Sequence, residues 1–149
     1  MRIRALAAIA LVVATLGLAG CSSSSTATTA TNGPAAAATL PAPDAPQRVD
    51  APTFAAAIAT PGITLIDVRR PDEFAAGHID GAVNYNVEGP DFAAQIAALD
   101  PTKTYAVYCH SGNRSQVAVA QMSQSGIQHI YELQTGISGW QAAGYPVVS

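Results

Sequence analysis

From about residue 50 onwards, the chain alternates short apolar runs with segments whose apolar residues recur every three or four positions. The apolar runs have the length of buried strands and predict strands at residues 63–68, 82–87, 104–108 and 130–133. The intervening segments predict helices at residues 51–60, 71–76, 92–99, 115–125 and 137–143. Alternating strands and helices with short connections favour an α/β fold, with a parallel sheet covered by helices on both faces.

Polar residues stand near the start of three predicted helices. Asp50, Asp91 and Ser115 carry side chains that are typical of helix N-caps, and each is expected to cap the segment that follows it. In the segment 115–125, Val117, Ala120 and Gln121 stand at helical spacing and indicate one face of the helix.

The first 20 residues have the features of an export signal. Arg2 and Arg4 precede an unbroken apolar run at residues 5–18, which is shorter than a membrane-spanning helix requires. The run leads into Leu-Ala-Gly-Cys21, which resembles the lipobox of bacterial lipoproteins. The resemblance implies cleavage before Cys21 and lipidation of its sulfur, so that the exported protein is anchored to the cell membrane on its periplasmic or extracytoplasmic face. An ordinary signal peptide with an incidental cysteine is the alternative.

Residues 21–46 are rich in Ser, Thr, Ala and Pro, and they predict a flexible tether between the anchor and a domain at residues 47–149. The formal net charge of the chain is -3, and removal of the signal leaves five basic against ten acidic residues. Nucleic-acid binding needs a basic surface, so this charge balance argues against a nucleic-acid partner.

Cys109 directly follows the strand predicted at 104–108 and precedes a helix, at the strand end where α/β sheets bind their ligands. The backbone N–H groups of such a loop can surround an anion, and Gly112 allows the close turn this needs. Arg114 places a guanidinium at the end of the loop, where it either faces a bound anion or pins the loop. Together these features predict a reactive thiolate, whereas a cysteine that merely packs at a strand end is the simpler alternative.

Three ordered segments resemble the rhodanese family, over nearly all of residues 48–147. They are residues 65–69 with 73–74 and 77–82, then 109–115, then 136–140 with 144–147. The resemblance implies a five-stranded parallel sheet and a sulfurtransferase without cofactor. Cys109 would take sulfane sulfur from a donor such as thiosulfate as a persulfide and pass it to a thiol or to cyanide. The remaining loop residues would form the cradle for this sulfur: His110, Ser111, Gly112, Asn113, Arg114 and Ser115.

Loop length separates this reading from the related phosphatases. The loop has six residues from Cys109 to Arg114, whereas those phosphatases use one more, and the smaller cradle suits a sulfur atom better than a phosphate. The resemblance implies a basic residue at position 110 in many active members of the family, and a histidine there is expected to give a weaker field for thiosulfate. The cysteines and histidines show no metal-binding spacing, so no metal is expected.

Residues outside the loop receive supporting roles. Asp67 and Arg69 lie at the end of a neighbouring strand and are expected either to support the loop or to form a structural ion pair or helix cap. Glu73 is expected to be an exposed charge at a helix start, His78 a structural hydrogen-bonding group, and Trp140 a packing residue of the terminal helix.

Two further functions remain open beside the enzyme. One is a binding module that keeps the scaffold without turnover. The other is a redox sensor, for which Cys109 would need a resolving thiol from another protein. Outside the cytosol Cys109 also needs a reductant, for which a thioredoxin-like partner is one candidate.

Overall fold

The computed structural model describes residues 39–149, so the predicted signal segment, Cys21 and the tether up to residue 38 lie outside the described residues. The strands are β1 (Gln47–Val49), β2 (Thr64–Asp67), β3 (Val83–Asn84), β4 (Tyr105–Tyr108) and β5 (Ile130–Leu133). The helices are α1 (Ala51–Ile58), α2 (Pro71–Ala76), α3 (Phe92–Ala97), α4 (Asn113–Gln124) and α5 (Gly136–Ala142). Within residues 39–149, no helix has both the length and the apolar character needed to cross a bilayer.

The five strands form one parallel sheet in the order β1-β5-β4-β2-β3, which confirms the predicted α/β fold. β1 was not predicted, because its three residues include Gln and Arg and show no apolar run. β3 is shorter than the predicted strand at 82–87. Beyond it, Tyr85 and Val87 still donate backbone hydrogen bonds to β2 and to the residue after it.

Side chains on β4 alternate between two apolar cores, one on each face of the sheet. Tyr105 and Val107 pack with residues of α3 and α4, whereas Ala106 and Tyr108 pack with residues of α1 and α5. This alternation is the period-two pattern of a strand that is buried on both faces. Helices therefore cover both faces of the sheet, as the sequence predicted.

Two of the three predicted caps are wrong. The Asp50 carboxylate accepts a 2.9 Å hydrogen bond from the Thr53 N–H and caps α1. Asp91 precedes α3 but makes no capping hydrogen bond with its side chain. Ser115 lies inside the first turn of α4, because the helix already begins at Asn113 with Gly112 as its N-cap residue.

The face predicted for α4 is also wrong. Val117 is 53% exposed, and Ala120 is exposed too. The buried residues of α4 are Ser115, Ala118, Val119 and Met122. The prediction fails because Ser115, which is polar, belongs to the buried face, whereas the apolar Val117 faces solvent.

Residues 40–43, which the sequence assigned to the tether, contact the body of the domain. The Leu40 N–H donates to the Thr60 hydroxyl, and the Tyr131 hydroxyl donates to the Pro41 carbonyl. The His129 ring lies 2.7 Å from the carbonyl oxygen of Pro43. The contacts of the domain thus begin before residue 47.

His78 and Trp140 both make structural contacts with residues near the end of the chain. His78 pairs with Val148 through two backbone hydrogen bonds, and its ring stacks on Phe74. Trp140 is buried, stacks on Tyr145, and donates its indole N–H to the Pro146 carbonyl at 2.8 Å. Trp140 therefore packs the terminal helix onto the sheet.

Candidate functional site

Cys109 directly follows β4, the central strand, and its side chain is only 1% exposed. The carbonyl groups at the start of the loop point towards α5. The Cys109 carbonyl accepts from the Ile137 N–H at 2.8 Å, and the His110 carbonyl accepts from the Ser138 N–H at 3.1 Å. The N–H groups in the first turn of α5, which have no partner within the helix, thus hold the loop by its carbonyls.

Two glycines let the loop sit close against the connection between β5 and α5. Gly112 has a φ of +88° and Gly136 has a φ of +60°, a region that other residues rarely adopt. A Cβ at Gly112 would overlap the carbonyl oxygen of Gln134, and a Cβ at Gly136 would overlap the carbonyl of His110. The role predicted for Gly112, a close turn of the backbone, matches this geometry.

The sulfur of Cys109 has two polar contacts inside the loop. The Gly112 N–H donates to Sγ at 3.1 Å, and the Ser115 Oγ lies 3.5 Å from it. The sulfur accepts in the contact with Gly112, whereas the Cys109 thiol donates in the contact with the Ser115 hydroxyl. Three other predicted cradle residues, His110, Ser111 and Asn113, are exposed, and the His110 ring lies 3.2 Å from the Ser138 hydroxyl.

Arg114 pins the loop to α2. Its guanidinium donates to both carboxylate oxygens of Glu73 at 2.7 Å, and the Glu88 carboxylate lies 3.4 Å away. The hydrogen bonds from Arg114 lower the pKa of Glu73 to about 2. Of the two roles open for Arg114 in the sequence, the structure supports pinning. The expectation that Glu73 is exposed is wrong, because this pair half-buries it.

Asp67 and Arg69 form a buried ion pair at the carboxyl edge of the sheet. The Arg69 guanidinium donates to Asp67 at 2.6 and 3.0 Å and to the Gly77 carbonyl at 2.7 Å. The side-chain amide of Asn84 donates to the carbonyls of both residues. The pair joins β2 to the segment around Gly77, which is the structural alternative named in the sequence analysis.

Sequence reasoning missed a polar chain behind Cys109. The Ser115 hydroxyl donates to the Glu132 carboxylate at 2.7 Å, and the other oxygen of Glu132 lies 3.1 Å from Arg48 Nε. Arg48 also donates to the carbonyls of Gly112 and Gln134. One signal was available: Glu132 interrupts an apolar strand, and a charged residue in a buried strand marks a polar site.

Comparison with known proteins decides the family. Residues 50–143 match the family described as Rhodanese-like domain. The chain belongs to the rhodanese-like family. It is 36% identical over 100 residues to the thiosulfate sulfurtransferase GlpE of Pseudomonas aeruginosa, covering 67% of this chain and 87% of that protein. It is also 36% identical over 91 residues to the GlpE of Stutzerimonas stutzeri, covering 60% and 81%.

Solved rhodanese structures share the fold. A rhodanese-related protein from Thermoplasma volcanium has a TM-score of 0.61 at 34% identity, over 68% of this chain and 97% of that one. The rhodanese-like domain of an Anabaena protein has a TM-score of 0.62 at 27% identity, over 68% and 78%. The five-stranded parallel sheet is thus the fold of these relatives too.

A cavity of about 200 Å³ opens beside the loop of this rhodanese-like domain, and it is lined by Arg69, Glu73, Ala76, Gly77, His110, Ile137, Gln141 and Val147. A larger one, about 260 Å³, lies beside β3, and none of its lining residues belongs to the loop. The first is therefore the better approach to Cys109. Within residues 39–149, His, Cys, Asp and Glu side chains form no group of three that could hold a metal ion.

Proposed function

We propose that this rhodanese-like domain is a sulfurtransferase in which Cys109 carries sulfane sulfur as a persulfide. The observation that carries the proposal is the 3.1 Å hydrogen bond from the Gly112 N–H to Sγ, inside a loop clamped by α5 on one side and by Glu73 on the other. The Gly112 N–H points at the sulfur atom that would act as the nucleophile and then carry the transferred sulfur as an anion. Relatives named thiosulfate sulfurtransferase support the same reaction class.

The reaction has two steps and needs no cofactor. The Cys109 thiolate attacks the outer sulfur of a donor such as thiosulfate, and the donor's S–S bond breaks with sulfite leaving on its electron pair. A thiolate or cyanide acceptor then attacks the outer sulfur of the persulfide, and the Cys109 thiolate leaves. The Gly112 N–H is positioned to stabilise the anionic sulfur before and after transfer.

The experiment is the intact mass of the purified chain after incubation with thiosulfate, beside a Cys109→Ser control that keeps Cys21. We expect one added sulfur atom, absent from the control and removed by cyanide or by a dithiol. Absence of the adduct with thiosulfate and with an organic persulfide, while Cys109 still reacts with an alkylating reagent, would contradict the sulfurtransferase. A binding module or a redox sensor would then be the better account.

The proposed site of action is the outer face of the cell membrane, where Cys21 anchors the protein through its lipid and a thioredoxin-like protein keeps Cys109 reduced. The lipobox-like sequence at Cys21 supports this placement. In cells, Cys21→Ser should move the protein from the membrane fraction to the soluble fraction. An unchanged distribution would contradict the lipid anchor.

A further inference from the structure

We infer that Glu132 accepts the proton of Cys109 through the hydroxyl of Ser115, so that the thiol and the carboxylate share one proton. The three groups lie in sequence behind the loop, with 3.5 Å from Sγ to the Ser115 Oγ and 2.7 Å from this Oγ to the Glu132 carboxylate. The thiol donates to the hydroxyl, and the hydroxyl donates to the carboxylate. This is the direction of proton transfer from cysteine to glutamate.

Regular structure holds these groups on one face of the sheet. β4 and β5 are neighbours, and Val107 is the register partner of Glu132. Side chains two residues apart on a strand share a face, so Cys109 lies on the same side as Val107 and Glu132. Ser115, in the first turn of α4, packs against this face and is fully buried.

The surroundings of Glu132 suit a proton acceptor. Burial raises the pKa of Glu132, while the hydrogen bond from Ser115 and the charge of Arg48 oppose this shift. Arg48 on β1 is the charged group that faces Glu132, and its side chain is 42% exposed, so solvent weakens its hold on the carboxylate. Arg114, the other cation next to Cys109, is directed at Glu73 and Glu88.

The proton balance is closed within the three groups. The Cys109 S–H bond breaks as the Ser115 oxygen takes the proton, and the Ser115 O–H bond breaks as a Glu132 oxygen takes its proton. The products are a thiolate and a carboxylic acid, with no change in net charge. The acid then donates to the Ser115 oxygen, and the Ser115 hydroxyl, which now holds the proton taken from Cys109, donates to Sγ, so the thiolate has two hydrogen-bond donors.

This inference deepens the proposed function, since it supplies the thiolate for sulfur transfer, but it can be tested without a sulfur donor. Two coupled groups that share a proton titrate in two steps, with a plateau between them. We would measure the rate at which neutral iodoacetamide alkylates Cys109 across pH, followed at the Cys109 peptide by mass. The variant is Glu132→Gln, and Asp91→Asn is the control for loss of one carboxylate away from the loop.

We expect two steps with a plateau in the unchanged chain and in Asp91→Asn. Glu132→Gln should show a single step, with the rate falling about tenfold for each pH unit below its midpoint. A two-step profile in Glu132→Gln, or a single step in the unchanged chain, would overturn the inference. Alkylation does not depend on sulfur transfer, so failure here leaves the intact-mass result on the proposed function standing.

Ser115→Ala provides a second variant if Glu132→Gln does not fold, as judged by circular dichroism. Removal of the hydroxyl takes the second hydrogen-bond donor from the thiolate and breaks the link to Glu132. We expect the plateau rate to fall about tenfold or more while the alkaline step, in which Cys109 loses its proton to solvent, is retained. An unchanged plateau in Ser115→Ala would overturn the inference by itself.

Discussion

Two glutamates contact the Cys109 loop from opposite sides, and their surroundings give them opposite tendencies to ionise. Glu73 lies on the outer side, where hydrogen bonds from Arg114 lower its pKa to about 2. Glu132 lies behind the loop, where burial raises its pKa above the ordinary value for a glutamate. One residue type thus serves as a fixed charge on one side and as a site that can exchange a proton on the other.

The partners of the two carboxylates explain the difference. Glu73 receives two guanidinium hydrogen bonds of 2.7 Å and keeps its side chain 20% exposed. Glu132 accepts one hydrogen bond from the Ser115 hydroxyl and pairs with Arg48, whose Nε lies 3.1 Å away, and its side chain is 3% exposed. A bidentate guanidinium stabilises the carboxylate form, whereas burial with few charged donors disfavours it. Two glutamates near the same thiol therefore differ in how readily they ionise, because their partners and their burial differ.

Substitution of Gly112 should have the largest effect, because Gly112 contacts both the sulfur of Cys109 and the Arg48 side chain that pairs with Glu132. Its N–H contacts Sγ, and its carbonyl accepts from Gln116 and from Arg48. Gly112→Ala puts a methyl group against the Gln134 carbonyl at a φ of +88°. We expect the free energy of unfolding to fall by about 3 kcal/mol or more in urea titration, together with loss of sulfur loading.

Gly126→Ala is the matched control. Gly126 has a φ of +90°, but a Cβ there would meet nothing within 4 Å. This variant carries the backbone cost without the overlap, and we expect a loss of about 1 kcal/mol. Equal losses in the two variants would mean that the loop moves freely away from Gln134, and close packing of Gly112 against the connection between β5 and α5 would not hold the loop.

Glu73→Gln tests the outer side of the loop. We expect the free energy of unfolding to be lower by about 2 kcal/mol at neutral pH, because a partly exposed bidentate pair with Arg114 is lost. The folded pKa of Glu73 is depressed, from the ordinary 4.5 to about 2, so its contribution is present above 4.5 and disappears as pH falls to about 2. Urea titrations across this window should show the difference between variant and unchanged chain vanish.

Glu132→Gln tests the glutamate whose pKa is shifted in the opposite direction from that of Glu73. Because the folded pKa of Glu132 is raised, its ionisation destabilises the folded state increasingly as pH rises from the ordinary pKa. The amide removes this penalty but also loses the pair with Arg48, so we expect a change within about 1 kcal/mol at neutral pH. A loss as large as that of Glu73→Gln would remove the distinction between the two sides.

The fold was largely predictable because apolar runs and helical spacing depend on neighbouring residues. The four strands from β2 to β5 and all five helices lie at or near the predicted positions. β1 escaped prediction because it is held by pairing with β5, at a distance of more than 80 positions in the chain, and not by its own composition. The start of α4 was misplaced because Gly112 adopts a positive φ and brings the chain into the helix two residues earlier.

The loop and its cysteine were predictable from local sequence, whereas the partners of the loop were not. Arg114 and Glu73 are 41 positions apart, and Ser115 and Glu132 are 17 apart. No local pattern in the sequence predicts such pairings, because they depend on the strand order and on the way the helices cover the sheet. Glu132 still carried a local signal, since a carboxylate within an apolar strand requires a buried partner.

The ion pairs on both sides of the loop affect how well Cys109 can accept a negatively charged sulfur donor. Among the described residues, Arg48, Arg69, Arg70 and Arg114 each pair with a carboxylate. The fifth cation, Lys103, precedes β4 at the opposite edge of the sheet. A thiosulfate dianion therefore meets little unpaired positive charge at Cys109, and His110→Lys would place one unpaired cation at the loop.

We expect His110→Lys to raise the rate of sulfur loading from thiosulfate about threefold to tenfold at low salt, and the gain to shrink at high salt. His110→Gln, which adds no charge, should leave the rate near that of the unchanged chain. Neutral iodoacetamide separates charge from access, because its alkylation of Cys109 should gain less from the lysine than sulfur loading from thiosulfate does. If loading and alkylation gain equally, the lysine acts by opening the cavity beside the loop, and the charge near Cys109 does not determine which donor it accepts.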